Sequence, residues 1–419
     1  MAELTLSAGQ QAVENRFVQF LADPNEPVLV IRGYSGTGKS TLVHTLLDNL
    51  PKYIKAMKMI DDQYEVPPIQ LTATTHKAAE NFSQITGMDV STIHSFLGLR
   101  LNTDYTTGAK TLVPREEGKK FNYLIFIDEA SYIDQYTLGL IFKQAINCKI
   151  VFIGDPAQLL MPRCSIAPAF MAGFPEAALT ETMRQLVNGV PQANPITELA
   201  TQFRHTVETG EWPTKVNVDG QYVQWLPRAD FMKAIEAEFT RPDWSYKSSK
   251  VLAWTNNCVI DYNKHIRALL KGDPALQVGD YVENNQYVTT GNKAIKTDQT
   301  VLITDIEEIE SIHGVLGNWI ELDKVIRVFH PRDRSQKNKV AAKLRAEGNY
   351  AEANKVDNWI DLRAVFAQTI NKAQGSTYDK VYIDLDDIKK CNMGNLIARM
   401  LYVGISRARL QVILTGDIV

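Results

Sequence analysis

The octapeptide GYSGTGKS at residues 33–40 fits the spacing G-x-x-x-x-G-K-[ST]. Gly33, Gly36 and Gly38 let backbone N–H groups turn inward, where phosphate oxygens can be cradled at the start of a helix. In that setting Lys39 holds the β- and γ-phosphates and Ser40 ligates Mg²⁺, with Ser35, Thr37 and Thr41 completing the cradle. A second chemical feature is LIFIDEAS at residues 124–131. An apolar run that ends in two adjacent carboxylates has little structural purpose, because unpaired buried charge is costly. Beside a phosphate loop it has one: Asp128 can hold Mg²⁺ through its water shell, and Glu129 can orient and deprotonate an attacking water. The plainer alternative is a helix cap followed by an exposed acid. GDPAQL at residues 154–159 then places Gln158 where a γ-phosphate sensor would sit. The first two features imply Mg²⁺-dependent hydrolysis of ATP or GTP and go no further.

Such residues need rigid elements to hold them. Apolar runs at 28–31, 124–127, 150–153, 251–254, 381–385 and 412–414 stop abruptly at polar or turn residues, the pattern of strands buried on both faces of a parallel sheet. Helical patterns lie between them, as at 41–50 and 231–239, so an α/β fold is predicted. The runs form two groups, before about residue 160 and after about residue 250, which suits two α/β cores in tandem. Two stretches break the alternation. Residues 99–113 have apolar flanks around Thr-Thr-Gly and predict a β-hairpin, and residues 277–330 read as short strands of a small β-barrel. Residues 331–358 are charged and helix-prone, with a solvated helix as the simplest reading.

Composition is neutral on function. The 419 residues suffice for two to four compact units, and 45% hydrophobic with 22% charged residues is ordinary for a soluble protein. A net charge of −3 lacks the strongly basic balance of a DNA-coating protein, although a groove for a single strand needs only local basic surface. No run approaches the ~18 apolar residues of a membrane span, and the N-terminus lacks a signal-peptide pattern. A cytoplasmic location without membrane contact is expected, in a host cell if the chain is phage-encoded. Cys148, Cys164, Cys258 and Cys391 are scattered, with no metal-site or disulfide spacing.

Further motifs follow the same order along the chain as in the superfamily 1 helicases. ATTHKAA (73–79), STIHSFL (91–97), LTETMRQ (179–185), TINKAQGST (369–377) and YVGISR (402–407) join the three features above. The chain resembles that superfamily over nearly its whole length, and its RecD-like branch with the Dda-type phage helicases in particular. The resemblance implies two RecA-like cores that bind ATP and Mg²⁺ in a cleft. The first core spans 1–185, with a hairpin wedge at about 98–120. The second spans 186–276 plus 361–419, with an SH3-like β-barrel and charged helical extension inserted at 277–360. Gln10 would read the adenine edge, and Gln374 and Gly375 would lie near the nucleotide. Arg184, at the boundary between the cores, and Arg407, in the second, would reach across to the γ-phosphate, where an arginine stabilises the charge of the transferring phosphoryl group.

The track implied is single-stranded DNA entered from forked duplex, with movement 5′→3′ and unwinding ahead. The expected form is a monomer, with a single-strand-binding protein or replication proteins as further partners. Thr75, His76, Thr92, His94, Lys372 and Thr377 offer donors suited to phosphate oxygens. His76 and His94 have a structural alternative. Phe96 either stacks on a base or packs in the core. Tyr105, in the hairpin, is either the pin that splits the duplex or an ordinary loop tyrosine. Asn371 stands where the branch carries histidine, LLMP at 159–162 lengthens the usual Gln-Leu-Pro segment, and residues 332–355 have no counterpart. Alternatives are a translocase that displaces proteins with little unwinding, an RNA helicase, and a P-loop regulatory switch.

Overall fold

The computed structural model describes residues 6–103, 110–161, 164–181, 186–187, 190–191, 194–290 and 293–418. The chain divides into two compact units: Met1–Asn217 with Met393–Arg409, and Val218–Asn392 with Leu410–Val419.

In the first unit six strands form a sheet in the order Glu176–Leu179, Val28–Gly33, Lys149–Gly154, Leu124–Asp128, Ile69–Ala73 and Val90–Thr92. Every pairing is parallel. Successive side chains of a strand point to opposite faces, and here both faces are apolar. Val28, Val30, Ile125, Ile127, Ile150 and Phe152 enter one core, while Leu29, Ile31, Leu124, Phe126, Val151 and Ile153 enter the other. That double burial is why these strands read as unbroken apolar runs. An antiparallel strand pair, Leu99–Thr103 with Lys110–Pro114, stands where the hairpin is predicted. Its base is tight: a Cβ on Gly118 would overlap the Leu97 carbonyl, and one on Gly98 would lie 2.8 Å from Gly118 Cα.

The second unit holds a five-stranded sheet in the order Val223–Trp225, Ala408–Thr415, Tyr378–Asp384, Ser249–Ala253 and Ala367–Thr369. Ser249–Ala253 pairs in parallel with both of its neighbours. Helices Arg228–Phe239 and Asn256–Lys271 supply Phe231, Ile235, Phe239, Val259 and Ile266 to a core shared with Val251, Ala253, Tyr382 and Ile413.

Residues 281–331 form most of an antiparallel sheet of five strands, in the order Ile326–Pro331, Val315–Leu322, Thr300–Ile312, Tyr281–Asn284 and Leu362–Ala364. It has its own core of Val282, Val301, Ile303, Ile320, Leu322, Ile326 and Val328. Its last strand lies past residue 360, because Ala364 pairs with Val282. The charged stretch is two helices, Arg334–Ala346 and Tyr350–Asp357, and it is not simply solvated: Lys337, Ala341, Ala353 and Val356 are buried. No helix among the described residues is long and apolar enough to cross a membrane.

The division of the chain departs from the sequence expectation at two places. The first unit runs to Asn217 and not 185, so it includes the helix Pro195–Thr209. It also takes in Met393–Arg409, expected on the second core. The reason is local chemistry: Arg399, Tyr402 and Arg407 all bond to loops of the first unit.

Candidate nucleotide site

The strand Val28–Gly33 delivers the loop 34–38 to the helix Lys39–Asp48. Gly36 and Gly38 have φ of 82° and 76°, a region that strains residues with a side chain. At Gly33 a Cβ would come 2.8 Å from Thr37 Oγ1 and 3.0 Å from Leu179 Cβ, so only glycine fits. Thr37 is buried and its hydroxyl donates to the Tyr34 carbonyl at 3.0 Å, closing the turn. Lys39 Nζ donates to the carbonyls of Gly33 at 2.8 Å and Tyr34 at 3.0 Å. Burial lowers the Lys39 pKa, opposed by the carboxylates of Asp155, Glu129 and Asp128.

Asp128 ends its strand at 8% exposure and accepts the Glu129 backbone N–H at 2.9 Å. Burial, then the neighbouring Glu129 carboxylate, raises its pKa, while Lys39 and the Ser40 hydroxyl favour the ionised form. Glu129 has φ 54°, in the left-handed region, a conformation that non-glycine residues rarely adopt outside functional turns. Thr74 ties this turn to the adjacent strand: its N–H donates to the Asp128 carbonyl and its hydroxyl to the Glu129 carbonyl, each at 3.2 Å. Gly154 lets the next loop close in, since a Cβ there would meet Ala130 N and Phe170 Cζ at 3.1 Å.

These residues fit a Mg²⁺-bound triphosphate. Beyond the glycine cradle, Gln158 is 3% exposed and its Oε1 has no partner among the described residues. Among the described residues no three His, Cys, Asp or Glu side chains cluster as a metal site. Ser40 and Asp128, whose side chains are hydrogen-bonded to each other, are the residues that would hold the cation, with phosphates and water as its other ligands.

A buried polar chain backs the phosphate loop, and the sequence reading missed most of it. The Ser35 N–H donates to Tyr402 Oη at 2.8 Å, and the Tyr402 hydroxyl donates to Asp155 Oδ2. Asp155, fully buried, accepts from Arg204 on its other oxygen, and the Arg204 guanidinium lies 3.9 Å from the Tyr34 ring centroid. Arg407, 2% exposed, donates from Nη2 to Ser35 Oγ at 2.7 Å and from Nε to the Val403 carbonyl at 3.0 Å. Arg399 donates to the carbonyls of Pro156 and Gln158, each at 2.6 Å. One signal was available: Arg204 shares a helix face with the buried residues Ile196, Leu199, Ala200 and Phe203.

Other expectations fare differently. Gln10 is buried, and its Oε1 accepts the Ser7 N–H at 3.1 Å in a capping box that fixes the side chain at the helix start. Thr75 and Thr92 cap the helices His76–Thr86 and Ile93–Phe96, accepting from Ala78 N and Ser95 N. His94 is half-buried, and burial lowers its pKa against the pull of Asp134, with His76 lowering it further. Phe96 is partly buried and packs against the core, edge-on to Tyr123 at 5.4 Å, in line with the core alternative of its two readings. Lys372 Nζ pairs with Asp298 at 2.6 Å and also donates to Asn285, so its charge is already partnered within the second unit. Thr377 is exposed, and Gln374 is buried beside Gly375, whose φ is 80°. Arg184 and Tyr105 lie outside the described residues.

Fold and site together define an α/β protein with a P-loop nucleotide site. Residues 19–162 match the AAA domain family, and residues 364–415 match the UvrD-like helicase C-terminal domain. The chain resembles the superfamily 1 helicases of the Dda and RecD kind. It is 25% identical to the ATP-dependent DNA helicase dda of Enterobacteria phage T4, over 97% of this chain and 98% of that one. It is 23% identical to the RecBCD enzyme subunit RecD of Buchnera aphidicola subsp. Schizaphis graminum, over 92% of this chain and 69% of the relative. Its fold is similar to the Pif1 helicase from Bacteroides in complex with ADP-AlF3 and ssDNA (TM-score 0.50, 15% identity, 100% and 94% of the two chains). The Pif1 helicase from Candida albicans is similar too (TM-score 0.51, 16% identity, 99% and 95%).

Proposed function

We propose that the chain is an ATP-dependent DNA helicase that moves 5′→3′ on single-stranded DNA and unwinds duplex ahead of it. The observation that carries this reading is the convergence on one phosphate loop of Lys39, of Asp128 through its hydrogen bond with the Ser40 hydroxyl, and of the Arg407 guanidinium on Ser35. The phage T4 relative, an ATP-dependent DNA helicase by name and similar along almost the whole chain, supports the nucleic-acid half of the argument.

In this mechanism the loop N–H groups and Lys39 take the β- and γ-phosphates, Lys39 exchanging the carbonyls of Gly33 and Tyr34 for phosphate oxygens. Ser40 and Asp128 would hold Mg²⁺, which neutralises charge on the phosphate oxygens when bound. Glu129 orients the attacking water and removes its proton, and Gln158 senses the γ-phosphate. Arg407, with Arg184, stabilises the charge that spreads over the transferring group. The strand contacts are Thr75, His76, Thr92, His94 and Thr377. Each capping threonine uses its oxygen as acceptor and keeps its proton to donate to a phosphate. A neutral His94 suits hydrogen bonding better than ion pairing. The insert at about 98–120, which carries the strand pair Leu99–Thr103 and Lys110–Pro114, is assigned the wedge, and the antiparallel sheet an SH3-like strand guide.

The deciding experiment measures ATP hydrolysis with and without single-stranded DNA, and unwinding of duplexes with a 5′ or a 3′ tail. Stimulation by DNA and opening of the 5′-tailed substrate are expected, with both lost in Lys39→Ala. Hydrolysis that persists in Lys39→Ala would remove the site assignment. Opening of the 3′-tailed substrate alone would reverse the direction, and stronger stimulation by matched RNA would change the track.

A further inference from the structure

We propose that Tyr402 is a latch on the phosphate loop, closed through Asp155 and held by Arg204, so that nucleotide binding and release of Ser35 by Tyr402 are one event. This rests on residues 33–40 being the ATP site. Arg204 is thereby a positioning residue: it acts through Asp155 and Tyr402.

The argument starts from one proton. A phenol has a single O–H, and that of Tyr402 goes to Asp155 Oδ2. Its oxygen is thus the acceptor for Ser35 N–H at 2.8 Å, made more basic by the carboxylate behind it. Burial and the adjacent Asp155 charge raise the Tyr402 pKa, so the phenol stays protonated and the direction of the chain is fixed.

Ser35 N–H belongs to the loop whose amides cradle phosphate. A phosphate oxygen carries charge and makes the stronger hydrogen bond, so it takes the donor from a neutral phenol. The loop then enters the bound form only by parting from Tyr402.

Asp155 fixes the other end. It is fully buried, its Oδ1 accepts the Ala157 N–H at 3.0 Å and an Arg204 N–H, and its carboxylate opposes the lowering of the Lys39 pKa by burial. Arg204 is 5% exposed, donates to Glu208 at 2.9 Å and covers the face of Tyr34, the residue preceding Ser35. A buried ion pair adds little stability over apolar packing, which leaves its role as geometric: it holds the carboxylate where Tyr402 needs it. Tyr402 sits in the helix Gly394–Ile405, whose Arg399 grips the Pro156 and Gln158 carbonyls. Opening the latch therefore parts Tyr402 from the Ser35 amide while Arg399 on the same helix keeps its hold on the segment carrying Gln158.

The test is the affinity of the purified full chain for a fluorescent N-methylanthraniloyl ADP with Mg²⁺. Tyr402→Phe removes the competing acceptor and is expected to bind roughly 2- to 10-fold more tightly, the worth of one neutral hydrogen bond. Arg204→Lys, which loosens the hold on Asp155, should tighten binding by less, and should add nothing when combined with Tyr402→Phe. A merely structural role predicts the opposite sign. Unchanged or weaker binding by a folded Tyr402→Phe protein overturns the latch. Should that variant fail to fold, amide exchange in ¹⁵N-serine-labelled wild type decides. A Ser35 amide protected without added nucleotide supports the latch, and one that exchanges freely overturns it. If wild type binds no nucleotide, the ATP site itself is wrong, a result distinct from failure of the latch alone.

Discussion

Arg407 Nη2 lies 2.7 Å from Ser35 Oγ although 372 positions of chain separate the two residues. A guanidinium held at the rim of a phosphate loop is placed to meet charge that develops during phosphoryl transfer. Arg407→Ala is expected to lower kcat for ATP by about 10³-fold or more, with nucleotide affinity changed far less. Arg407→Lys should rescue little, because an ammonium lacks the planar fork that spans Ser35, Ser406 and the Val403 carbonyl. Steady-state hydrolysis beside nucleotide titration checks this. Retention of a tenth of the wild-type rate in the alanine variant would end the role.

Glu129→Gln keeps the size of the side chain and removes the base. Hydrolysis should fall by at least about 10²-fold while nucleotide still binds. Its unusual backbone, with φ 54°, is shared by both residues, so thermal stability should change little. A rate within a few-fold of wild type would transfer the base to another group.

Lys337 offers a pH test of the helical extension. Its ammonium donates to the carbonyls of Asp357 at 3.0 Å and Trp359 at 2.7 Å, and burial lowers its pKa from 10.5 to about 8. Between those values the unfolded chain still holds a proton that the folded chain has shed, so stability rises with pH across the window. Below about pH 8 both states are protonated and the cost of the buried charge is present in full. The swing is on the order of 3 kcal/mol. Urea midpoints at pH 7.5 and 10 should show Lys337→Met gaining on wild type at the lower pH and losing that advantage at the higher. Parallel pH profiles would refute it.

Two glycines should respond with opposite signs. Gly118→Ala drives a methyl into the Leu97 carbonyl at the hairpin base and should cost about 1–3 kcal/mol. Gly139, exposed within the helix Gln135–Gln144, has open space around its Cβ direction, and alanine there should stabilise by about 0.5–1 kcal/mol. Thermal melts of the two variants give the comparison.

Legibility in the sequence followed burial. Val28–Gly33, Leu124–Asp128 and Lys149–Gly154 are central strands covered on both faces, so an apolar run announces each. The three-residue strands Val90–Thr92, Val223–Trp225 and Ala367–Thr369 sit at sheet edges, too short for any periodicity to register. In the site, the phosphate loop was readable because its chemistry is contiguous. The Arg204–Asp155–Tyr402 chain was not, since its members lie 49 and 247 positions apart and meet only after folding. Gln10 shows how a motif residue can also serve a local need, its side-chain oxygen accepting the Ser7 N–H at the helix start.

Val282 and Ala364 stand opposite each other in the antiparallel sheet, so the segment between them leaves and re-enters the chain at adjacent points. With its hydrophobic interior kept to itself, that segment resembles a cassette spliced into a bend. Evolution could lengthen, shorten or exchange it while the parallel strands on either side kept their register, and a bridge of a few residues would suffice to close the gap.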